Sequence, residues 1–209
     1  MTHLSLSDLR KDCIQKRLFL QNDTQSYSVI LENLSLYILK GLKELEVITN
    51  NPIKNLGFYW PIRGEPDIKK ILCQWQTANI SRKLALPVTT INEPLIFRQW
   101  DENTIMRPGL ANIPEPQNTP EITVDVIIAP CVAWRVENDQ IWRLGYGGGY
   151  YDRTLFSYFP TQQRPLLIGV SFDELQLDSR LWSIHPQDFP LDGLITQSSF
   201  TVGPSLKSF

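Results

Sequence analysis

The amino-acid sequence predicts an α/β fold in which helices cover a central sheet. Short apolar runs alternate with helical or loop segments along most of the chain, as expected of a sheet with helices on its faces. The runs 124–129 and 166–170 are continuously apolar, which is typical of central parallel strands. With 209 residues and 42% hydrophobic content, the chain can build one sizeable core. We therefore predict one domain over residues 1–209, with a helical N-terminal part, about residues 1–50, packed on it.

Two helices are predicted before the first strand. Ser5 and Asp8 have the spacing of a capping box, with Asp in place of the usual Glu or Gln, and apolar residues follow at helical intervals. This first helix should be about four turns long. A second helix is indicated by apolar residues at helical spacing, which are Ile30, Leu34, Tyr37 and Ile38. It should end near Gly41 or at the breaker Asn50-Asn51-Pro52.

Strands and one further helix are predicted beyond Pro52. A short helix is indicated by apolar residues between positions 68 and 75. Segment 106–122 carries four prolines, so we expect an extended, non-helical loop of a length that is more often functional than idle. The short apolar runs that indicate strands are 56–60, 84–88, 95–100, 124–129, 166–172 and 194–196.

Composition and charge exclude several classes of function. The formal net charge is -2 and the pI is about 5.7, which gives no reason to expect binding to nucleic acid or to an anionic membrane. No apolar run approaches the roughly 18 residues of a membrane span, and residues 1–17 contain no signal-peptide core, so we expect a cytoplasmic protein. Cys13, Cys73 and Cys131 are odd in number and far apart, which excludes a disulfide framework and a Cys-x-x-Cys metal site. Two histidines are too few for a histidine zinc site.

The most informative segment is Arg143-Leu144-Gly145-Tyr146-Gly147-Gly148-Gly149-Tyr150-Tyr151-Asp152-Arg153. Glycine lets a backbone adopt positive φ and approach a ligand closely, and successive N–H groups in such a turn form an anion-binding nest. If Tyr150 begins a helix, its free N–H groups and its dipole face the same anion. Arg143 and Arg153 flank the loop and suit phosphate oxygens, while Asp152 suits a hard cation such as Mg²⁺.

Two interpretations of this segment remain open on the residues alone. One is a phosphate-binding loop, which the flanking Arg and Asp residues favour, and the other is a flexible surface turn with aromatic neighbours. The segment is not a Walker A motif, because no Gly-Lys-Ser/Thr follows, and it is not a dinucleotide fingerprint, because Tyr150 stands where the third Gly belongs. Cys131 has no plausible histidine base, so we interpret it as a buried thiol.

The glycine-rich segment resembles the signature of the 5-formyltetrahydrofolate cyclo-ligases, also called methenyltetrahydrofolate synthetases. The resemblance implies a three-layer α/β sandwich with a mostly parallel central sheet, shared with sugar-phosphate isomerases and CoA transferases. It implies ATP-dependent cyclisation of 5-formyltetrahydrofolate to 5,10-methenyltetrahydrofolate, with release of ADP and phosphate. Four further segments resemble parts of the family. Trp60-Pro61-Ile62-Arg63-Gly64-Glu65-Pro66-Asp67 resembles its strand-to-helix corner, and Ile113-Pro114-Glu115-Pro116 resembles its proline loop. Residues 125–130 resemble the strand before the glycine loop, and His185-Pro186-Gln187-Asp188-Phe189-Pro190-Leu191-Asp192 resembles the C-terminal segment.

The same resemblance implies the roles of individual residues. Asp152 and Asp188 would hold Mg²⁺, and Arg143, Tyr151 and Asp152 would act at the reacting groups. The residues that would contact ATP are Arg10, Arg143, Leu144, Gly145, Tyr146, Gly147, Gly148, Gly149, Tyr150 and Tyr151. Those that would contact the reduced folate are Trp60, Glu65, Tyr146, Gly147, Gly148, Gly149 and Tyr150. Four of these have an alternative structural interpretation, namely Trp60 as a core residue, Arg10 as part of a solvated helix face, Asp188 as a cap and Glu65 as a helix-start residue favoured by the helix dipole.

In the family's reaction the formyl oxygen attacks the γ-phosphate, N10 closes on the activated carbon, and phosphate leaves. Such phosphoryl transfer depends on positioning and charge neutralisation and needs no protein nucleophile, which suits a sequence without a Ser/His/Asp or Cys/His constellation. We expect no nucleic-acid or membrane partner, and a monomer or weak homodimer.

Two residues depart from the family pattern. Leu6 stands where the family usually has Lys, and Arg135 stands where it tends to have Asp. A missing phosphate-contacting Lys removes an interaction of about 1.5 to 3 kcal/mol, for which Lys11 and Arg135 are the candidate replacements. The departures keep open a non-catalytic folate- or nucleotide-binding relative. A sugar-phosphate isomerase-like enzyme of the same fold is the other alternative, and ATP dependence separates it from a ligase.

Overall fold

The computed structural model describes residues 5–158 and 164–207. Seven consecutive strands occupy residues 83–144 with one 3₁₀ helix among them, and the α-helices lie before and after this stretch, so the fold is α/β without regular alternation along the chain. The helices are α1 (Leu6–Leu20), α2 (Thr24–Ile48), α3 (Lys69–Thr77) and α4 (Tyr150–Ser157). The strands are β1 (Asn55–Gly57), β2 (Lys83–Val88), β3 (Ile96–Trp100), β4 (Met106–Pro108), β5 (Pro114–Pro116), β6 (Val126–Pro130), β7 (Ala133–Glu137), β8 (Gln140–Leu144), β9 (Leu166–Val170), β10 (Gly193–Ile195) and β11 (Phe200–Val202).

A seven-stranded sheet forms the centre of the fold, in the order β11-β10-β9-β6-β1-β2-β3. The inner five strands are parallel to one another, whereas β3 and β11 run antiparallel at the two edges. The two continuously apolar runs, β6 and β9, lie side by side and pair from Val126 with Leu166 onwards. The prediction of central parallel strands is therefore confirmed. The carboxyl ends of β1, β6 and β9 meet at one edge, where ligand sites of such sheets lie.

Apolar side chains fill both faces of this sheet. On one face α2 and α3 contribute side chains such as Leu42 and Leu72 to a cluster with the inner strands. On the other face Leu9 of α1 and Leu155 of α4 join a second cluster, together with the β7–β8 hairpin. Burying one such Leu side chain contributes about 1.5 to 3 kcal/mol relative to exposure. The three-layer arrangement that the family resemblance implied is confirmed.

The N-terminal helices follow their sequence signals closely. At the start of α1, the Asp8 N–H donates to the Ser5 hydroxyl at 3.1 Å, which confirms the predicted cap. α2 continues through Gly41. A glycine suits this position because it lies against the Phe200 ring, which an added Cβ would meet at 3.0 Å. The helix ends just before Asn50-Asn51-Pro52, so the second of its two predicted ends is the correct one.

The proline-rich segment is extended, as predicted, but it is not an unpaired loop. Its strands β4 and β5 form an antiparallel hairpin around the 3₁₀ helix Leu110–Asn112. The Gly109 N–H donates to the Ile113 carbonyl, and the Gln117 N–H donates to the Ile105 carbonyl. In an antiparallel ladder hydrogen-bonded pairs alternate with pairs that exchange no hydrogen bond, so the pair Pro108–Pro114 and the pair of Pro116 with Met106 are of the second kind. Because the prolines occupy the pairs that exchange no hydrogen bond, their missing N–H groups cost the hairpin nothing.

Two further features differ from the sequence prediction. β1 is shorter than the predicted run 56–60, because the chain leaves the sheet after Gly57 and turns towards the strand-to-helix corner. The β7–β8 hairpin was not predicted, and its two-residue turn places Asn138 and Asp139 at φ of 51° and 60°. Such turns favour Asn and Asp because both tolerate positive φ. Among residues 5–158 and 164–207, no helix combines the length and apolarity needed to cross a membrane.

Candidate active site

The glycine loop, residues 145–149, connects the end of β8 to the start of α4. Gly147 and Gly149 have φ of 95° and 64°, a region that side chains with a Cβ rarely adopt. Gly149 is the N-cap residue of α4, and its carbonyl accepts the Arg153 N–H at 3.0 Å. The N–H groups of the first turn of α4 therefore precede the first intrahelical bond and remain for a ligand. The expectation that a helix begins at Tyr150 is confirmed.

A cavity of about 310 Å³ lies against this loop and is called the loop cavity below. Residues 143–152 form one wall, Leu6 and Arg10 of α1 form another, and Trp182, Ser183, His185 and Asp188 form a third. The fold thus brings all the predicted ATP-contacting residues to one cavity, and these are Arg10, Arg143, Leu144, Gly145, Tyr146, Gly147, Gly148, Gly149, Tyr150 and Tyr151.

A second cavity of about 410 Å³, the corner cavity, lies on the other side of the loop's aromatic residues. Its walls come from the strand-to-helix corner with Trp60 and Glu65, and from the proline hairpin with Glu115. Of the predicted folate-contacting residues, Gly147 and Gly149 line the loop cavity but not this one. The residues that line both cavities are Pro130, Tyr146, Gly148, Tyr150 and Tyr151.

Arg143 and Asp152 are paired with each other in the described protein. Nη2 of Arg143 lies 2.9 Å from both carboxylate oxygens of Asp152, and the Phe189 N–H donates to Asp152 Oδ1 at 3.2 Å. The Arg143 guanidinium also lies 5.0 Å from the centre of the Tyr151 ring. The Nε of Arg143 is buried and has no hydrogen-bond partner among the described residues, so Asp152 does not occupy every donor of Arg143. Burial raises the pKa of Tyr151 above its ordinary value.

The two predicted metal ligands lie near each other at the end of the loop cavity. Asp152 and Asp188 both line it, and both also line the adjoining depression at the start of α4. Asp188 Oδ2 accepts the His185 N–H at 2.8 Å, so the capping interpretation also holds. Among the described residues, no three His, Cys, Asp or Glu side chains are grouped closely enough to hold a metal. One or two carboxylates with substrate phosphates and water are the usual donors to Mg²⁺, and the pair fits Mg²⁺ in that form.

Arg10 belongs to the cavity wall and is not simply part of a solvated helix face. Its Nε donates to the Gly145 carbonyl at 2.8 Å, and its guanidinium lies 3.3 Å from where a Cβ on Gly147 would stand. Leu6, one turn earlier, lies on the same wall with 40% of its surface exposed. α1 therefore presents one cation and one apolar side chain to the loop cavity.

Neither candidate replacement for the family's Lys faces this cavity. Lys11 is exposed and pairs with Asp8 at 3.2 Å. Arg135 is buried, donates to the carbonyls of Ser179 and Trp182, and pairs with Glu137. The suggestion that either residue supplies the missing charge was wrong, because both are committed elsewhere.

Sequence reasoning missed Arg17, which reaches the site from the buried side of α1. Its Nη2 donates to the Tyr146 hydroxyl at 2.5 Å, and that hydroxyl donates to Glu65 Oε1 at 2.8 Å. A signal for it existed, since Leu9, Cys13 and Arg17 recur at four-residue spacing on the buried stripe of the helix. Burial raises the pKa of Glu65 above its ordinary value, although the Ile62 N–H, Arg17 and the Tyr146 hydroxyl act in the opposite direction.

Trp60 and Cys131 occupy contrasting positions near the corner cavity. The Trp60 ring is half-buried and packs against the apolar cluster of α2 and α3, and it also lines the cavity with the Lys69 ammonium 4.1 Å from its centre, so the core interpretation holds in part. Cys131 is buried, and burial raises the pKa of its thiol to about 12. Its interpretation as an unreactive buried thiol is confirmed, because the thiolate is scarce near neutral pH.

Comparisons with known proteins agree with this architecture. The chain is 32% identical over 142 residues to a 5-formyltetrahydrofolate cyclo-ligase of Haemophilus influenzae, covering 65% of this chain and 72% of the relative. It is 28% identical over 188 residues to the enzyme of the same name from Mycoplasma pneumoniae, covering 90% and 95%.

Two solved structures share the fold at 25% sequence identity. The 5,10-methenyltetrahydrofolate synthetase of Aquifex aeolicus superposes with a TM-score of 0.68, covering 95% of this chain and 93% of its own. The 5,10-methenyltetrahydrofolate synthetase of Mycoplasma pneumoniae superposes with a TM-score of 0.66, covering 93% and 99%. Residues 9–197 match the model of the 5-formyltetrahydrofolate cyclo-ligase family. The chain belongs to the 5-formyltetrahydrofolate cyclo-ligase family.

Proposed function

We propose that this chain uses ATP and Mg²⁺ to close 5-formyltetrahydrofolate into 5,10-methenyltetrahydrofolate, releasing ADP and phosphate. One observation carries the proposal: the loop cavity and the corner cavity share a wall made of Tyr146, Gly148, Tyr150 and Tyr151. A nucleotide in the loop cavity and a folate in the corner cavity would lie next to each other at these shared residues. Direct transfer of a phosphoryl group requires such proximity.

The loop cavity suits the triphosphate of ATP. The glycine loop and the first turn of α4 offer backbone N–H groups, and Arg10 and Arg143 add positive charge on two sides. Arg143 keeps donors beyond the one that Asp152 engages. We assign Arg143, Tyr151 and Asp152 to the reacting phosphoryl group, with the buried Tyr151 ring supporting the guanidinium at 5.0 Å.

The corner cavity suits the pterin of the folate. Its walls are largely apolar and carry the indole of Trp60 for stacking. Glu65 is buried there and accepts from the Tyr146 hydroxyl and the Ile62 N–H. A buried carboxylate in an apolar cavity selects a ligand with N–H donors, and the pterin ring carries such donors.

The reaction needs no protein nucleophile. The formyl oxygen attacks the γ-phosphorus, and the bond to the β,γ-bridging oxygen breaks so that ADP leaves with its electron pair. N10 then attacks the activated formyl carbon, phosphate leaves with the electrons of the carbon–oxygen bond, and N10 loses its proton. The chain's residues hold the two substrates in contact and neutralise the charge on the transferred group.

The residues that would hold Mg²⁺ are Asp152 and Asp188. Held there with the phosphates, Mg²⁺ would supply positive charge to neutralise the phosphate oxygens. Because Asp152 is paired with Arg143 at 2.9 Å, the protein's own cation keeps this carboxylate oriented towards the loop.

The test is to mix protein, MgATP and 5-formyltetrahydrofolate and to follow the methenyl product by its absorbance. We expect product in proportion to the ADP released, and none when ATP or Mg²⁺ is left out. Binding of both ligands without product supports the non-catalytic alternative, and turnover of a sugar phosphate without ATP supports the isomerase. Either result contradicts the proposal.

We further propose a cytoplasmic monomer or weak homodimer. The three free cysteines suit a reducing compartment, since Cys13 and Cys131 are buried as thiols. Sedimentation at several protein concentrations measures the oligomeric state, and a stable higher oligomer contradicts this proposal.

A further inference from the structure

Arg17 is the only arginine of α1 whose side chain is fully enclosed, with 1% of its surface exposed. Its guanidinium donates to three separate segments: Nε to the Arg63 carbonyl at 3.0 Å, Nη1 to the Cys131 carbonyl at 3.4 Å, and Nη2 to the Tyr146 hydroxyl at 2.5 Å. These acceptors belong to the strand-to-helix corner, the end of β6 and the glycine loop. A buried cation is costly unless it is fully hydrogen-bonded, so this position is one that the surrounding structure specifies.

The Tyr146 hydroxyl connects this cation to the buried carboxylate of Glu65. It accepts from Arg17 and donates to Glu65 Oε1 at 2.8 Å, while Glu65 Oε2 accepts the Ile62 N–H at 2.9 Å. Since Arg17 occupies a lone pair of the hydroxyl oxygen, the hydroxyl hydrogen is directed away from Arg17 to an acceptor. In the described protein that acceptor is Glu65. Tyr146 itself lines both cavities.

We infer that Arg17 is a positioning residue that couples the two substrate sites through Tyr146 and Glu65. In this coupling, an N–H donor of the folate displaces the Tyr146 hydroxyl from Glu65 Oε1, and Arg17 still prevents the hydroxyl from turning back. The hydroxyl then donates to a phosphate oxygen in the loop cavity. Folate therefore strengthens nucleotide binding, and the nucleotide strengthens folate binding by the same factor. This inference rests on the proposed function, because it takes a folate and a nucleotide as the two ligands.

Calorimetry measures the coupling directly. The affinity for a non-hydrolysable ATP analogue with Mg²⁺ is compared without and with saturating 5-formyltetrahydrofolate. In the unmodified protein we expect the affinity to rise about fivefold or more when folate is present. In Tyr146→Phe, which keeps the ring and removes the hydroxyl, the ratio should fall to about one, even if each separate affinity changes. Arg17→Met, which keeps an apolar stem, should have the same effect.

Matched variants control for general damage. Tyr27→Phe removes a hydroxyl that accepts from Gln21 at 3.2 Å outside both cavities, and Arg82→Met removes a guanidinium that donates to the Trp75 carbonyl and pairs with Glu46. Both should keep the coupling ratio of the unmodified protein. If Arg17→Met does not fold, Arg17→Lys replaces it, since one ammonium cannot reach three acceptors and should lose most of the coupling.

The outcomes separate this inference from the proposed function. Independent binding of the two ligands in the unmodified protein, or an undiminished ratio in Tyr146→Phe, overturns the coupling alone. Failure of both ligands to bind the unmodified protein overturns the proposed function and the coupling together. A merely structural role for Arg17 would lower the unfolding temperature and leave the ratio intact.

Discussion

At the scale of single residues, two of the charges that flank the glycine loop, those of Arg143 and Asp152, are already paired inside the protein. Arg143 and Asp152 neutralise each other at 2.9 Å, and Asp152 also accepts the Phe189 N–H. A pair in this position holds the guanidinium and the carboxylate in a fixed orientation, but both groups must also be able to contact an incoming ligand. The desolvation of both groups offsets much of their mutual attraction, so we attribute the pair to the site and not to stability.

Asp152→Asn should therefore remove activity while leaving the protein folded. Asn keeps the size of the side chain but loses the charge that orients Arg143 and suits Mg²⁺, and we expect kcat to fall about 100-fold or more. Steady-state kinetics at saturating Mg²⁺ measures the effect. Asp178→Asn is the matched control, because Asp178 pairs with Arg180 on the exposed surface and lines neither cavity. Normal turnover of Asp152→Asn would remove this carboxylate from the reaction.

Glu65→Gln should impair the folate and spare the nucleotide. The amide keeps one acceptor for the Tyr146 hydroxyl but replaces the charged acceptor that pterin N–H donors would meet, so kcat/KM for 5-formyltetrahydrofolate should fall about 10- to 100-fold. Affinity for ATP measured in the absence of folate should stay nearly unchanged. Glu46→Gln is the control, since Glu46 also accepts a backbone N–H and an arginine, and it lines neither cavity. If activity towards the folate is retained, Glu65 serves only the corner's backbone.

Residue-level prediction succeeded for the backbone of the glycine-rich segment. The run of glycines indicated positive φ, which Gly147 and Gly149 have, while phosphate binding by the loop stays a prediction. Arg17 was missed because an arginine at a helix position is ordinarily solvent-exposed. The spacing of Leu9, Cys13 and Arg17 placed it on the buried stripe of α1, but the acceptors that enclose it come from three distant segments.

At the scale of elements, the start of α4 sets the geometry of the loop. Gly149 ends the loop in a left-handed conformation, and Tyr150 then turns its ring between the two cavities. An added Cβ on Gly148 would meet the Tyr150 ring at 2.8 Å. The spacing between the loop backbone and this ring thus depends on the absence of a side chain.

Gly148→Val should weaken nucleotide binding about tenfold or more, which corresponds to about 1.4 kcal/mol. The branched side chain would displace Tyr150 and cover N–H groups that a phosphate needs. Calorimetry with ATP gives the affinity, and circular dichroism of the same sample shows whether the variant is folded. An unchanged affinity in folded protein would mean that this glycine serves the turn and not the ligand.

The 179–188 segment is held against the hairpin β7–β8 by Arg135. Its guanidinium donates to the Ser179 and Trp182 carbonyls and stacks on the Trp182 ring, 4.5 Å from the ring centre. This segment carries His185 and Asp188 to the loop cavity. Where the family pattern has an acidic residue, this chain therefore uses a cation to fix one wall of the site.

Arg135→Met should loosen that wall. It leaves the carbonyl of the buried Trp182 without this donor, at about 1 to 3 kcal/mol, whereas the carbonyl of the exposed Ser179 can bond to water instead. Each kcal/mol lowers the unfolding temperature by about 2 to 4 °C in a chain of this size. The KM for ATP should rise more than the KM for folate, because only the loop cavity contains this segment. Arg180→Met, an exposed neighbour in the same segment, should change neither quantity. Equal effects of the two variants would contradict the anchoring role.

Elements that are specified by nearby residues were predicted better than elements that depend on pairing between strands. The Ser5 cap predicted the start of α1, and the apolar stripe predicted that α2 exists, although α2 begins at Thr24, six residues before the stripe. The β7–β8 hairpin escaped because its turn is Asn138-Asp139, without the glycine that marks most such turns. The proline hairpin escaped because its prolines fall only at pairs that exchange no hydrogen bond, a register that cannot be known before the partner strand is known.

At the scale of the whole molecule, the central sheet lies between the two apolar clusters, and residues at the ends of its strands line the two proposed substrate cavities. Apolar continuity predicted that β6 and β9 are central, but strand order depends on crossovers that the sequence does not encode locally. One cluster packs on each face of the same strands, so the loss of either cluster would expose one face of the sheet on which the other cluster also depends. We therefore propose that the N-terminal helices and the α/β core unfold together as one domain.

This proposal predicts a single thermal transition that either ligand shifts as a whole. A ligand at about 100 times its Kd stabilises the folded state by about 2.7 kcal/mol, which should raise the midpoint by about 5 to 11 °C in a chain of this size. The ATP analogue and 5-formyltetrahydrofolate should each shift the whole transition, and together they should shift it by more than the sum of the separate shifts, because the sites are coupled. Calorimetric scans with each ligand and with both measure this. Two transitions, of which only one responds to ligand, would show that the N-terminal helices and the core are separate units.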